Sequence, residues 1–127
     1  MSYYFSKTLD MPFDQAVERT VGKLKEHGFG VLTRIDVRHT LKEKIGAEFR
    51  PYVILGACNP KMAHQALQAE DKIGTMLPCN VIVQEIDGKC EIAAVDPVAS
   101  MHAIRNDALA SVAAKVREEL KAVVQSL

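Results

Sequence analysis

Cysteine and asparagine stand side by side twice in this chain, as Gly56-Ala57-Cys58-Asn59-Pro60 and as Leu77-Pro78-Cys79-Asn80 ahead of an apolar run. A thiol offers a nucleophile, a redox partner or a soft metal ligand, and a carboxamide offers hydrogen-bond donors and an acceptor. Cys58 and Cys79 make a thiol pair if the loop before the second motif folds back beside the end of the first. Asn59 followed by Pro60 is also a helix start, because the amide caps free N–H groups and proline tolerates the first turn. Such an N-terminus favours negative charge on Cys58. The plainer alternative is that both cysteines are small buried residues and both asparagines serve caps and turns. Each pair lies where a strand meets a flanking segment, a common place for ligand contacts. Cys58, Asn59, Cys79 and Asn80 are therefore the first ligand-binding candidates.

Other chemistries find less support. Zinc would need Cys58, Cys79 and a histidine such as His64 or His102 to converge, and no C-x-x-C or H-x-x-x-H spacing prepares this. A thiolate–thioether site using Met76 or Met101 lacks spacing too. No metal and no cofactor are expected. A nucleophile elbow, a P-loop and a dinucleotide fingerprint are all absent, leaving no recognisable catalytic machinery. Asp36, with Arg38 and Lys44 nearby in sequence, could orient a small polar ligand; the alternative is a surface ion pair. His27 falls at the end of the first helical segment, near its C-terminal dipole.

Composition narrows the setting. The 127 residues suffice for a single domain, 1–127, with 48% apolar and 25% charged side chains. Sixteen acidic and sixteen basic groups cancel, whereas a nucleic-acid-binding protein should carry a basic excess. The densest basic stretch, 34–44, also holds Asp36 and Glu43 and reads as a solvated face. No apolar run approaches the roughly 18 residues of a membrane span. Met1 to Lys7 lacks the pattern of a signal peptide. The expectation is a cytoplasmic protein with reduced thiols, binding neither nucleic acid nor membrane.

The elements that must position these residues follow from periodicity. Residues 2–9 alternate as a strand, and Phe13, Ala16, Val17, Thr20 and Leu24 then repeat at helical spacing, with Gly28 and Gly30 ending the helix. A second strand over 31–37 places Val31, Thr33, Ile35 and Val37 on one face. Thr40 to Glu43 matches a capping box, predicting a short helix to Ile45 with Gly46 as its stop. Tyr52 to Ala57 is apolar on both faces, as in a central strand. A helix follows Asn59-Pro60, then a loop over 71–77. Asp87-Gly88 marks a two-residue hairpin joining Val81-Ile82-Val83 to Ile92-Ala93-Ala94-Val95. After a loop at Asp96-Pro97, a long helix starts near Asp107. The fold class is α+β in the order β-α-β4-α, with helices packed on one face of a largely antiparallel five-stranded sheet.

The hairpin register sorts the two faces. Cys79, Val81, Val83, Cys90, Ile92 and Ala94 share the helix-covered side. Ile82, Ile86, Ala93 and Val95 lie on the other, among Gln84, Lys89 and Glu91. That face is too apolar for bare solvent, so these four residues are candidates for a homodimer contact, or for a ligand surface. Register also separates Cys90 from Cys79 by six residues, roughly 20 Å along an extended strand, which leaves Cys58–Cys79 as the sole intramolecular pairing.

These stretches resemble a bacterial and archaeal family, domain of unknown function 302. The resemblance rests on Ile35-Asp36, Thr40-Leu41-Lys42 with Lys44 and Gly46, the block from Tyr52 to Pro60, and Ala63 with Ala66-Leu67. It continues through Ile73-Gly74, the block from Leu77 to Val83, and Asp96-Pro97. Thr75-Met76 departs from the family's more aliphatic loop. The resemblance implies a fold of the TATA-box-binding-protein class and a dimer, and it supplies no activity. The fold class is not a sign of DNA binding. Two functional readings follow. One is a homodimeric module that binds a small ligand or a protein partner; the other is a thiol-based redox or sulfur-handling protein using Cys58 with Cys79.

Overall fold

Alternating side chains turn five segments into one sheet. The computed structural model describes residues 2–127 and runs β1 (Tyr4–Leu9), α1 (Phe13–Glu26), β2 (Gly30–Asp36), α2 (Val37–Ile45), β3 (Tyr52–Cys58) and α3 (Pro60–Ala69). A 3-10 turn over Asp71–Met76 leads into β4 (Cys79–Ile86), β5 (Lys89–Val95), α4 (Pro97–Ser100) and α5 (Asp107–Ser126). The strands lie in the order β1-β5-β4-β3-β2, every neighbouring pair antiparallel. The α+β class and the single open sheet are as the sequence predicts.

The hairpin holds its expected register, with Ile86 opposite Lys89 and Val81 opposite Ala94. Asp87 and Gly88 both adopt positive φ, 52° and 76°, the conformation that a two-residue type I′ turn demands. One side of the sheet then presents Val53, Leu55, Val81, Val83, Ile92 and Ala94, all buried. Ala16, Val17 and Leu24 of α1 and Leu109, Leu120, Val123 and Val124 of α5 close over them. Removing this much apolar surface from water is the main stabilising term, at about 25 cal/mol per Å².

Local expectations are corrected in four places. Strand β2 carries a bulge between Val31 and Thr33, so its alternation breaks. Val31 pairs with Ala57 and Arg34 with Leu55, while Thr33 and Ile35 pair with Gly56 and Ile54 on the opposite face. Val31 therefore does not share a face with Thr33 and Ile35. Val37 is helical rather than extended, because Asp36 and not Thr40 is the N-cap of α2, its Oδ1 accepting the His39 N–H at 2.9 Å. The capping box yields because β2 reaches its last pairing at Asp36–Val53, and an aspartate stands there ready to cap. Gly46 does stop α2, in the left-handed conformation at φ 66°. The 71–77 segment is a 3-10 turn anchored by the fully buried Ile73. Asp96-Pro97 starts the short α4, its carboxylate accepting the N–H groups of Val98 and Ala99.

Among the described residues no helix is long and apolar enough to cross a membrane.

Candidate functional site

Strand pairing brings the two cysteines together. Ala57 lies opposite Cys79 in the β3–β4 ladder, and Cys58 is the next residue, the last of β3. The chain then turns into α3. Asn59 caps that helix, its Oδ1 accepting the Met62 N–H at 3.2 Å, and Pro60 fills the first helical position. On the other side of Asn59, the amide nitrogen crowds Gly28, where an added Cβ would come within 3.1 Å. Gly28 sits at φ 84°, a backbone conformation that disfavours any side chain, and an added Cβ would also press on the Asn59 amide. Gly56 is tight as well: a Cβ there would lie 2.2 Å from Thr33 Oγ1 and 2.8 Å from Pro78 Cγ. The loop carrying Cys79 is thereby clamped against the end of β3.

Beside this junction lies a cavity of about 340 Å³, bounded by the sheet end, α3, the 77–79 segment, α4 and α5. Its origin is side-chain size. Ala63 and Ala66 of α3 face Ala113 of α5 across it, and Ala57 forms part of its floor. Methyl groups at facing positions cannot fill the space between two helices and a strand. Leu32, the bulged residue of β2, is 66% exposed yet lines the cavity, so the bulge supplies one wall.

The walls are almost wholly apolar. Asn59 is the one lining residue with a side-chain nitrogen or oxygen, and its oxygen is engaged in the helix cap. No buried side-chain polar atom among the described residues is left without a partner. Cys58, Met62, Cys79 and Met101 give the lining a strong sulfur content. Polarisable sulfur adapts to irregular apolar shapes and makes favourable contacts with aromatic rings.

The two thiols occupy different environments. Cys58 is half-buried, and Cys79 is 7% exposed. Burial pushes the Cys79 thiol up to about 11, with the neighbouring Cys58 adding to the rise. Cys90 lies opposite Glu85, far down β4, and donates its S–H to the Met11 carbonyl at 3.3 Å. Its thiol is also raised, by burial first and Glu85 second. It belongs to the core.

The remaining candidates are spread over other regions. Asn80 is exposed on the open face of the sheet, outside the cavity, opposite Gly56. Asp36 and Lys44 lie at the far end of β2 and on α2; Asp36 pairs with Val53, five residues and roughly 17 Å along β3 from Cys58. The Asp36 carboxylate is occupied by its cap. His64 and His102 are exposed. Among the described residues no three His, Cys, Asp or Glu side chains converge as a metal site would require. Met101 reaches the cavity and Met76 does not. His27 is the C-cap of α1, with Nδ1 3.1 Å from Glu119 Oε2.

Ile82, Ala93 and Val95 form the half-buried floor of a groove on the open face, edged by Tyr3, Tyr4 and Tyr52, and Ile86 is 42% exposed near the hairpin tip. A polar ladder crosses this face. Arg50 Nε donates to Gln84 Oε1 at 2.8 Å, and Gln84 Nε2 donates to Glu91 Oε1 at 2.9 Å. The Arg50 guanidinium lies 4.3 Å above the Phe49 ring. Leu32, Met62, Ala66 and Ala113 were not among the sequence-based site candidates. No local signal marked them, because the alanines at 63, 66 and 113 belong to two helices and read as ordinary helical core until those helices are docked.

An open antiparallel sheet with helices on one side, and a cavity where those helices meet its edge, defines the class of protein. The chain belongs to the family described as Domain of unknown function DUF302, whose model matches residues 5–127. It is similar to a solved structure described as an uncharacterized conserved protein DUF302 from Bacillus stearothermophilus. The two share 30% identity over 98% of each chain, with a TM-score of 0.91. No curated protein matches the chain.

Proposed function

We propose that this protein is a homodimeric binding module whose ligand is a small, neutral, largely apolar molecule held in the cavity beside Cys58, Asn59 and Cys79. The observation that carries the reading is the cavity itself, 340 Å³ of space walled by side chains that present almost no hydrogen-bonding groups. That volume is at the small end for a ligand pocket. A charged ligand would lose its hydration with nothing to replace it, which selects against ions. Asn59 acts on the site by fixing the start of α3. Asn80, Asp36 and Lys44 remain candidates only for contacts elsewhere on the surface.

Binding of the neutral fluorescent reporter N-phenylnaphthylamine tests this. The expected result is a saturable rise in emission with one site per chain, abolished in folded Ala66→Leu and Ala113→Leu variants that fill the space. Absence of saturable binding, or equal binding by the filled variants, would sink the reading.

The dimer part of the proposal uses the other face. Ile82, Ile86, Ala93 and Val95 would meet their counterparts in a second copy, covering an apolar strip that water otherwise wets. Light scattering at micromolar concentration should give the mass of two chains, and Ile82→Lys or Val95→Lys should halve it. The mass of one chain at every concentration would remove this part and leave the cavity reading intact.

A further inference from the structure

We propose that Cys58 and Cys79 are the working pair of a thiol–disulfide exchange site, and that its substrate is a small, neutral, apolar disulfide bound in the adjoining cavity. The proposal rests on the cavity reading above and adds a reaction to it. Three observations converge. The β3–β4 register places Cys58 one residue past the partner of Cys79. Strand spacing then puts their Cα atoms roughly 6 Å apart, within the Cα reach of a disulfide. Because β3 ends at Cys58, its side chain is not held to the face opposite Cys79 as alternation within a strand would hold it. Both residues line the same cavity. Cys90 is excluded by its position on β5, opposite Glu85 at the far end of β4 from Cys79.

Exposure assigns the roles. Half-buried Cys58, at the strand end, is the thiol a substrate reaches first, and buried Cys79 is shielded from direct attack. The Cys58 thiolate attacks one sulfur of the bound disulfide, forming a Cys58–substrate mixed disulfide and expelling the other half as a thiolate. The Cys79 sulfur then attacks Sγ of Cys58, forming the Cys58–Cys79 bond, and its proton leaves with the second substrate half as a thiol. The protein is oxidised by two electrons and the small disulfide is reduced by two. Burial, the larger cause of the raised Cys79 thiol, persists through both steps and keeps its proton available for the departing substrate half, while the smaller contribution of Cys58 disappears once Cys58 is in the neutral mixed disulfide.

The test treats the reduced full-length protein with dithiodipyridine, a neutral aromatic disulfide that releases coloured thiopyridone on cleavage. Wild type should release two equivalents and end lighter by two hydrogens, with peptide mapping locating a Cys58–Cys79 bond. Cys79→Ser should release one equivalent and retain a thiopyridyl group on Cys58. Cys58→Ser should slow release by about tenfold or more, since a buried thiol reacts poorly. Ala66→Leu should slow the aromatic disulfide while leaving alkylation of Cys58 by small iodoacetamide within about twofold, a separation that follows from access and not thiol chemistry. A wild-type product that retains the thiopyridyl group and lacks the Cys58–Cys79 bond would overturn the proposal without recourse to any variant. So would a Cys58→Ser protein reacting as fast as wild type. Saturable reporter binding without exchange overturns this step and spares the binding reading. Exchange indifferent to Ala66→Leu overturns the cavity's part in it.

Discussion

At Cys58-Asn59 the chain leaves β3 and enters α3, so the asparagine is spent on a helix cap and the cysteine is left half-buried at a junction. At Cys79-Asn80 the chain enters β4, so strand alternation sends the cysteine into the helix-covered side and the asparagine to the open face. The same dipeptide therefore has two fates. A pair that straddles a strand's end allows both side chains to serve one site, whereas a pair lying wholly within a strand is divided between two surfaces. That is why three of the four residues gather at the cavity and Asn80 does not.

The largest effect that can break this contrast is a charge. Cys79→Asp should lose about 3 kcal/mol or more, or fail to fold, because a carboxylate at a 7% exposed position has no partner. Cys58→Asp should lose no more than about 1 kcal/mol, being half-exposed and close to a helix N-terminus. Urea unfolding of the two variants measures both values, and equal losses would show that the two cysteines occupy equivalent surroundings.

The next effect is alkaline. The Cys79 thiol is raised in the folded protein from 9.0 to about 11, so the folded state holds its proton more tightly than the unfolded chain. The resulting stabilisation is fully present below about 9 and is lost as pH climbs toward 11, amounting to about 2–3 kcal/mol at most. Wild type should therefore lose more stability than Cys79→Ala across that interval. Parallel curves for the two proteins, from urea midpoints taken at matched pH, would contradict the burial argument. Cys58→Ala should retain most of the slope, since burial is the first cause and Cys58 the second.

The smallest effects concern the asparagines. Asn59→Ala should cost about 1 kcal/mol through the lost cap, and Asn59→Asp should stay within about 1 kcal/mol, because aspartate caps as well. Asn80→Ala, at an exposed position outside the cavity, should stay within about 0.5 kcal/mol. Thermal melts read all three. A cost at Asn80 matching that at Asn59 would mean that the open face uses its amide in a contact between chains.

Legibility of the site in the sequence followed the same division. The approach of Cys58 to Cys79 was legible only as a condition on how the chain folds back, because Asp87-Gly88 pins β4 to β5 while the β3–β4 pairing that joins the thiols closes across α3 and the 71–76 turn. Asn59 as a cap was local. The cavity was not. It is the space left where α3 and α5, some forty residues apart in the chain, meet through alanines, and small side chains in a helical stripe look like ordinary core until the helices are docked. Asp36 and Lys44 were read from sequence nearness alone, and the structure sends them to the other end of the sheet.

By itself the sequence determined the five strands and the longer helices to within a residue or two, the hairpin register, the α+β class and the sorting of β4 and β5 side chains into two faces, because these depend on periodicity and turn chemistry within a few residues. Tertiary structure decided the rest. It chose Asp36 over Thr40 as the cap of α2, since both side chains can cap and only the end of β3 pairing selects between them. It placed the β2 bulge that turns Leu32 toward the cavity, a shift that alternation cannot announce. It also separated the two thiols into one accessible and one buried, because burial is a property of the packed layers and not of the dipeptide that carries them.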